Sequence, residues 1–132
     1  MKKILFVAIC FLSLTSISQI LMGAEMNKVG QMLPDGTVLD EAGKLAGKIK
    51  KDGMVTNASS VITGYIKADG TIENEGHVVV GYVQNDGTIL NESKKNIGTI
   101  KDGVVNNEKS ETIGYAKDIP IKWAAVYFFF LF

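Results

Sequence analysis

Short apolar runs separated by polar, glycine-containing turns fill the middle of this chain. In "GYIKADGTIENEGHVVV" (64–80), apolar and β-branched residues alternate with polar ones around the turn "ADG", and a second polar stretch, "NEGH", follows. Such alternation between turn signals is typical of half-buried strands. The pattern predicts β-hairpins, and it starts again in the next seventeen residues, "GYVQNDGTILNESKKNI" (81–97).

The same unit occurs five times between residues 30 and 113. Four units have seventeen residues and the fifth has sixteen; they span 30–46, 47–63, 64–80, 81–97 and 98–113. Each has an apolar residue two positions after its opening glycine (Met32, Ile49, Ile66, Val83 and Ile100) and a β-branched residue after its turn (Val38, Val55, Ile72, Ile89 and Val105). One unit buries too few aliphatic side chains to fold alone, so we expect neighbouring units to complete each other's core.

Asp-Gly is the most regular element of the repeat and predicts its first turn. In the first copy, Pro34 precedes Asp35, which suits the second position of a type I turn better than a paired strand position. We therefore predict type I turns with left-handed glycines at 36, 53, 70 and 87, and a different turn at Asp102, where the fifth unit lacks one residue. The predicted turn residues are Asp35, Gly36, Asp52, Gly53, Asp69, Gly70, Asp86, Gly87, Asp102 and Gly103.

Two all-β architectures fit these units. One is an antiparallel meander of five 17-residue hairpins, with the sheet bent or layered where the opening glycines allow a close approach; the other is a β-solenoid with parallel sheets. Tight Asp-Gly turns favour the meander. The predicted organisation is an N-terminal lead-in (19–29), a five-repeat β domain (30–113), and a partial sixth repeat with an apolar C-terminal cap (114–132).

The C-terminal residues from Trp123 to Phe132 form ten uninterrupted apolar positions, "WAAVYFFFLF". As a helix this run is too short to cross a bilayer, which needs about 20 residues. We expect it to lie over the last hairpin as a hydrophobic cap, with Asp118 and Pro120 suiting a helix start. A membrane-contacting or partner-binding tail is the alternative.

The N-terminus has the form of a secretory signal peptide. Two lysines precede an apolar run from Ile4 to about Leu14, and Ser16 and Ser18 are the small residues of a cleavage site. We predict a signal peptide over 1–18, with a later cut after Ala24 and an uncleaved anchor as alternatives. The protein is then exported, and is periplasmic, surface-associated or secreted.

Charge and cysteine content narrow the range of chemistry. All 14 basic residues are lysine, and 14 are acidic, so loss of Lys2 and Lys3 would leave 12 against 14, a net charge of −2. A chain with no arginine and no basic excess is not expected to bind nucleic acid. Cys10 is the only cysteine and lies in the predicted signal peptide, so the exported chain would have no thiol for disulfides, nucleophilic catalysis or metal binding.

The remaining polar residues predict no catalytic or metal site. His77 is the only histidine and falls in a polar turn, so a histidine pair or a histidine-based triad cannot form. Stacked units would bring the Asp-Gly aspartates into a ladder that could hold calcium, but the turn itself already demands Asp-Gly. We therefore expect no enzyme activity, no catalytic residue, no metal and no cofactor.

Tyr65, Tyr82 and Tyr115 directly follow opening glycines, and could form a strip that binds sugar rings or a protein. "GYIKADGTIENEGHVVVGYV" resembles the hairpin repeats of choline-binding and cell-wall-binding modules and MORN repeats. Residues 30–118 also resemble Asp-Gly repeats of secreted or surface proteins, with "DGTVLDEAGKLAGKI" as the most similar stretch. The cell-wall-binding repeats cage their ligand with tryptophans, and residues 30–118 contain none, so no ligand residue can be transferred.

The expected function is therefore that of a non-enzymatic secreted β-repeat protein, a structural or binding module at the cell envelope. A carbohydrate or cell-wall binder that uses the tyrosine strip is the alternative. The expected partner is a protein or glycan of the envelope, and membrane contact through Trp123 to Phe132 is possible but not favoured.

Overall fold

The computed structural model describes residues 19–130 and 132, so the predicted signal peptide (1–18) lies outside the described residues. Twelve β-strands and one short helical segment form the fold. The strands are β1 (Gln19–Gly23), β2 (Lys28–Met32), β3 (Thr37–Asp40), β4 (Leu45–Ile49), β5 (Met54–Asn57), β6 (Ile62–Ile66), β7 (Thr71–Asn74), β8 (Val79–Val83), β9 (Thr88–Asn91), β10 (Asn96–Lys101), β11 (Val104–Asn107) and β12 (Thr112–Tyr115). Helix α1 (Ile121–Ala125) continues directly into a π-helical turn (Val126–Phe130).

The strands form one antiparallel meander that closes on itself. Each strand pairs with the next along the chain, and β1 pairs with β12 through Met22 opposite Tyr115 and Gly23 opposite Gly114. The predicted all-β hairpin meander is confirmed, and the parallel solenoid is wrong because every pairing is antiparallel. Closure leaves neither end of the sheet as an unpaired edge.

Both ends of the chain take part in this closure. Strand β1 lies within the predicted lead-in, and its Leu21 is 0% exposed in the core. Strand β12 spans the boundary between the fifth repeat and the predicted partial sixth repeat, and together the two strands occupy the place of a sixth hairpin. Strand β1 and the residues from Gly114 to Ala116, which lie outside the five sequence repeats, are thus structural parts of the barrel rather than flanking segments.

Two rows of apolar side chains face the lumen of the barrel. They are the recurring apolar and β-branched residues of the repeat, and each row is completed by one residue from a chain end. The first row is Met32, Ile49, Ile66, Val83, Ile100 and Ala116; the second is Leu21, Val38, Val55, Ile72, Ile89 and Val105. Their exposed fractions are at most 9%, so these rows form the wall of the core.

The C-terminal segment fills the lumen instead of covering the last hairpin, which corrects the predicted position of the cap. Ala124, Ala125 and Val126 are all 0% exposed and belong to the same core cluster as both rows of strand residues. Aromatic side chains that follow them contact strands on several sides of the closed sheet, which is only possible from inside. The tail does cover the apolar face of the repeats, but it does so from inside the barrel. We call the segment from Ile121 to Phe132 the plug.

The opening glycine of a repeat is where an aromatic side chain of the plug meets the wall. A Cβ added to Gly98 would lie 2.5 Å from Cζ of Phe129, and one added to Gly47 would lie 2.8 Å from Cε1 of Phe132. Further pairs of the same kind are Gly30 with Tyr127, Gly81 with Phe130 and Gly114 with Phe128. The glycines therefore leave space both for a ring of the plug and for a backbone oxygen of the neighbouring strand, such as that of Asn106 beside Gly98. The close approach of another backbone is what their position on the apolar face predicts, and the rings add to it.

Three consecutive rings of the plug step around the barrel one hairpin at a time. Phe128, Phe129 and Phe130 meet glycines on β12, β10 and β8 in that order. An α-helix turns by about 100° per residue, whereas six equal hairpins around a ring would be about 60° apart. A π-helix closes its hydrogen bonds over five residues and turns less per residue, so the π-helical turn brings successive rings nearer to successive glycines.

Tyr127 is the polar member of this set of rings. Its hydroxyl donates a hydrogen bond of 3.1 Å to the backbone oxygen of Val29, so the polar atom is paired where the ring enters the core. Burial, together with the negative charges of Glu41 and Asp40, raises the pKa of Tyr127 above its usual value. The phenol therefore stays neutral and keeps its donor proton.

Candidate functional site

The Asp-Gly turns lie at one end of the barrel and use their aspartates for their own geometry. In the first turn, the amide of Gly36 donates to the oxygen of Leu33, Gly36 has φ of 95°, and Asp35 Oδ1 accepts the amide of Thr37 at 2.9 Å. The same arrangement holds at Asp52, Asp69 and Asp86, with glycines 53, 70 and 87 at φ of 93° to 95°. This is a type I turn followed by a left-handed glycine.

The fifth turn has a different geometry because its hairpin has lost one residue. Asp102 and Gly103 have φ of 52° and 80°, and they are flanked by the paired residues Lys101 and Val104. Two central residues with positive φ define a type I′ turn, the usual two-residue hairpin connection. The aspartates of this end therefore serve two kinds of turn, and their side chains do not converge on one point.

Hydrogen bonds within the turns lower the pKa of the carboxylates of Asp35, Asp69 and Asp86. The amide of Thr37 holds the pKa of Asp35 below its usual value, with the Thr37 hydroxyl as a second donor. Asp69 and Asp86 are lowered in the same way by Thr71 and Thr88. Within residues 19–130 and 132, no group of three or more His, Cys, Asp or Glu side chains is placed to hold a metal ion.

The opposite end of the barrel carries a second set of matching turns. In each, an Asp or Asn side chain accepts two backbone amides; Asn74 Oδ1, for example, accepts those of Gly76 and Val78 at 2.9 and 3.0 Å. The equivalent acceptors are Asp40, Asn57, Asn91 and Asn107. These oxygens are consumed by the turns, so the recurring Asp or Asn has a structural role.

The three tyrosines do not form one strip. Tyr65 lies on β6 and Tyr82 on β8, with β7 between them, but four strand steps separate Tyr82 from Tyr115 on β12. The equivalent position on the intervening β10 is Thr99. The structure therefore brings two of the predicted residues to one side of the barrel and places the third elsewhere.

His77 belongs to the surroundings of the first tyrosine. Its ring stacks on Tyr65 with 4.3 Å between centroids, and its Nδ1 lies 3.0 Å from Oε1 of Glu73. Lys67 Nζ lies 3.9 Å from the other oxygen of Glu73, and Lys94 Nζ lies 5.3 Å from the ring centroid of Tyr82. Tyr65 and Tyr82 thus each have a polar side chain against the ring, and the two tyrosines with these neighbours form a shallow polar surface.

A groove at the Asp-Gly end is a feature that sequence reasoning missed. It has a volume of about 600 Å³ and lies between the start of the plug and three turns, those joining β4–β5, β6–β7 and β8–β9. The groove is lined by Ile49, Ile66 and Val83 from the first row of core residues, and by Ile121 and Trp123 from the plug. Lys50 and Lys51, the pair that replaces Leu33-Pro34 of the first repeat, stand at its edge.

The groove lies beside the point where the plug enters the barrel. Helix α1 contacts β8 and β10, and Lys122 Nζ donates a 2.9 Å hydrogen bond to the backbone oxygen of Ala68 in the β6–β7 turn. This bond fixes the start of the plug against one turn while the space beside it stays open. Two features of the sequence contribute to this groove, the Lys50-Lys51 pair and the single tryptophan, Trp123. They come close together only because of where the tail inserts.

The apolar tail is largely withdrawn from the surface. Within the described part of the chain no helix is both long enough and apolar enough to cross a membrane. Ile121 and Phe132, at the two ends of the plug, are 36% and 41% exposed, whereas the residues between them that the structure describes are half-buried or buried. Among the described residues of the tail, the most exposed side chains are thus those at its two ends.

The chain is similar to a known protein family. The family model described as 5-fold beta-flower protein matches residues 18–132. No curated protein and no solved structure matches the chain. The matched range begins one residue before β1 and includes the plug, so it coincides with the barrel described above.

Proposed function

The chain belongs to the 5-fold beta-flower protein family, and on that premise we propose that it is a non-enzymatic module with a structural or binding role at the cell envelope. The observation that carries this proposal is the filled lumen: the chain's own tail occupies the space inside the barrel. A closed sheet with a packed centre suits a rigid scaffold that presents its two rims of turns and its outer surface.

Export is part of the proposal and rests on the N-terminal pattern. Strand β1 begins at Gln19, directly after the predicted cleavage site at Ser18, so a cut there keeps all twelve described strands. A cut after Ala24 would remove β1 and with it Leu21, which is fully buried. The barrel therefore favours the earlier of the two predicted cleavage sites.

We expect the exported protein to begin at Gln19. The full chain would be expressed in a bacterial host with its own N-terminus, and the envelope and culture fractions analysed by intact mass. Ser18→Phe places a bulky side chain at the predicted minus-one position and should leave the precursor uncut, whereas Ile17→Phe, at the tolerant middle position, should not. Retention of Met1 to Ser18 in cytoplasmic protein of the unmodified chain would refute export.

A second candidate function is carbohydrate binding, and the surface around Tyr65 and Tyr82 favours it. The two rings lie on strands separated only by β7, beside Glu73, His77 and Lys94. Sugar recognition combines an aromatic face with polar groups that can hydrogen-bond hydroxyls, and this surface supplies both. Tyr115 is too far around the barrel to take part.

If this surface binds a glycan, Tyr65→Ala combined with Tyr82→Ala should abolish binding on a glycan array, and Tyr115→Ala should leave it unchanged. All three tyrosines are half-buried outward positions, so the third variant is a matched control for loss of a surface ring. Equal loss in the control, or no glycan bound by the unmodified protein, would reject this candidate and leave the scaffold proposal intact.

A further inference from the structure

We propose that the groove at the Asp-Gly end, hereafter the lysine groove, binds a small amphiphilic anion: a carboxylate carried on an apolar chain, such as a free fatty acid. The groove's volume of about 600 Å³ falls in the range of small-molecule sites. This inference is independent of the proposed scaffold role, because it concerns the purified protein and needs neither export nor an envelope partner.

Charge complementarity determines the polar end of this ligand. Four lysines line the groove, Lys50, Lys51, Lys67 and Lys122, against a single acidic residue, Asp52. Asp52 Oδ1 already accepts the amide of Met54. In a chain with equal numbers of basic and acidic residues, this is a local excess of three positive charges, so an anionic group is favoured there.

The four lysines differ in whether their side chains already have a hydrogen-bonding or ionic partner. Lys122 is bonded to the backbone oxygen of Ala68, and Lys67 lies at the long distance of 3.9 Å from Glu73. Lys50 and Lys51 make no ion pair or hydrogen bond through their side chains within the described residues, and both are exposed. We assign the carboxylate contact to Lys51 and Lys67, from adjacent turns, with Lys50 adding to the local potential.

The apolar end of the ligand is determined by the groove wall. Trp123 and Ile121 project from the plug on one side, and the core residues Ile66 and Val83, which are 9% and 4% exposed, lie on the other. A short acyl chain can bury surface against both, at about 0.8 kcal/mol for each methylene removed from water. Gln84 and Asn85 also line the groove and can accept hydrogen bonds, but the lysines favour an anionic head group over a neutral sugar.

Trp123 is the chain's only tryptophan and lines the groove, so its fluorescence reports occupancy directly. We would titrate the protein with decanoate, decyl maltoside and decyltrimethylammonium, which share one chain length and differ in head-group charge, and repeat each titration by calorimetry. Decanoate should shift Trp123 emission to shorter wavelength with saturation, and raised salt should weaken the binding. The neutral and cationic probes should bind more weakly.

Lys51→Gln and Lys67→Gln should each weaken decanoate binding roughly twofold to fivefold, the range expected for exposed ion pairs. Lys44→Gln and Lys109→Gln, each made singly, make the same change in net charge at the opposite end of the barrel, and should have no effect beyond the experimental error. The proposal is wrong if decanoate gives no saturable response by either method, or if the three probes bind alike. It is also wrong if the control variants weaken binding equally, or if the protein binds only anionic phospholipid vesicles and not monomeric decanoate.

Discussion

Deleting Trp123 to Phe132 is expected to abolish cooperative folding of the barrel. The deletion removes three fully buried residues and leaves the two apolar rows around an empty lumen. Each large apolar side chain contributes ~1.5 to 3 kcal/mol when fully buried. The aromatic residues of the plug are only partly buried, so each contributes less than this, but the loss summed over the whole plug is still comparable to the stability of a domain this size, about 5 to 15 kcal/mol.

Thermal unfolding followed by circular dichroism, together with size-exclusion chromatography, would measure this effect. The truncated chain should aggregate or melt without a cooperative transition. As a matched control, Val61→Ser and Val78→Ser also remove apolar surface, but from turn positions that are 57% and 60% exposed, and should change stability by about 0.5 kcal/mol or less. A monomeric truncated protein that melts within a few degrees of the full chain would show that the plug is dispensable.

Gly98→Ala is expected to destabilise the protein by about 3 kcal/mol, the upper part of the range for overpacked cores. The new methyl group would lie 2.5 Å from Cζ of Phe129 and would also meet the backbone oxygen of Asn106. A flexible side chain could move aside, but a paired strand and a ring inside the lumen cannot both do so. Gly98 has no positive φ, so the cost is steric rather than conformational.

Gly76→Ala is the control for this substitution, because its added methyl group would meet only Asn74 Oδ1 at 3.5 Å, an ordinary contact. That variant should stay within about 1 kcal/mol of the unmodified protein, since replacing an unstrained glycine also lowers the entropy of the unfolded chain. Chemical denaturation of both variants gives the comparison. Equal stabilities for Gly98→Ala and Gly76→Ala would mean that no ring lies against Gly98.

The hairpins could be predicted from the sequence because their signals are local. Asp-Gly with a β-branched residue beyond it defines a turn and a strand without reference to the rest of the chain, and Pro34 even distinguishes the turn type. The odd geometry at Asp102 also follows from one missing residue. The alternation of apolar residues then identifies which side chains face the core.

Closure of the sheet could not be predicted, because the two strands that close it carry weak signals. Strand β1 is "QILMG", and no Gly, Pro, Asn or Asp separates it from the apolar signal-like region. Its pairing with β12 joins residues that are more than ninety positions apart in sequence, as Met22 opposite Tyr115 shows. No local pattern specifies such a contact.

The plug was the least predictable element, although its sequence is conspicuous. "YFFFLF" is apolar on all sides, so its composition does not tell a cap from an interaction tail. The opening glycines are the sequence feature that bears on the position of the tail, because a column of glycines on an apolar face leaves space for large side chains. Only inside a closed ring do consecutive residues such as Phe128 and Phe129 reach glycines in different hairpins. The lysine groove depends on the same insertion and was hidden with it.

The most direct test of the plugged barrel is nuclear Overhauser spectroscopy of isotopically labelled protein, measuring contacts between phenylalanine ring protons and glycine α-protons. The structure predicts three separate pairs, Phe128 with Gly114, Phe129 with Gly98 and Phe130 with Gly81, on three alternate strands. Ring contacts restricted to β11 and β12 would instead place the tail over the last hairpin, and would contradict the account.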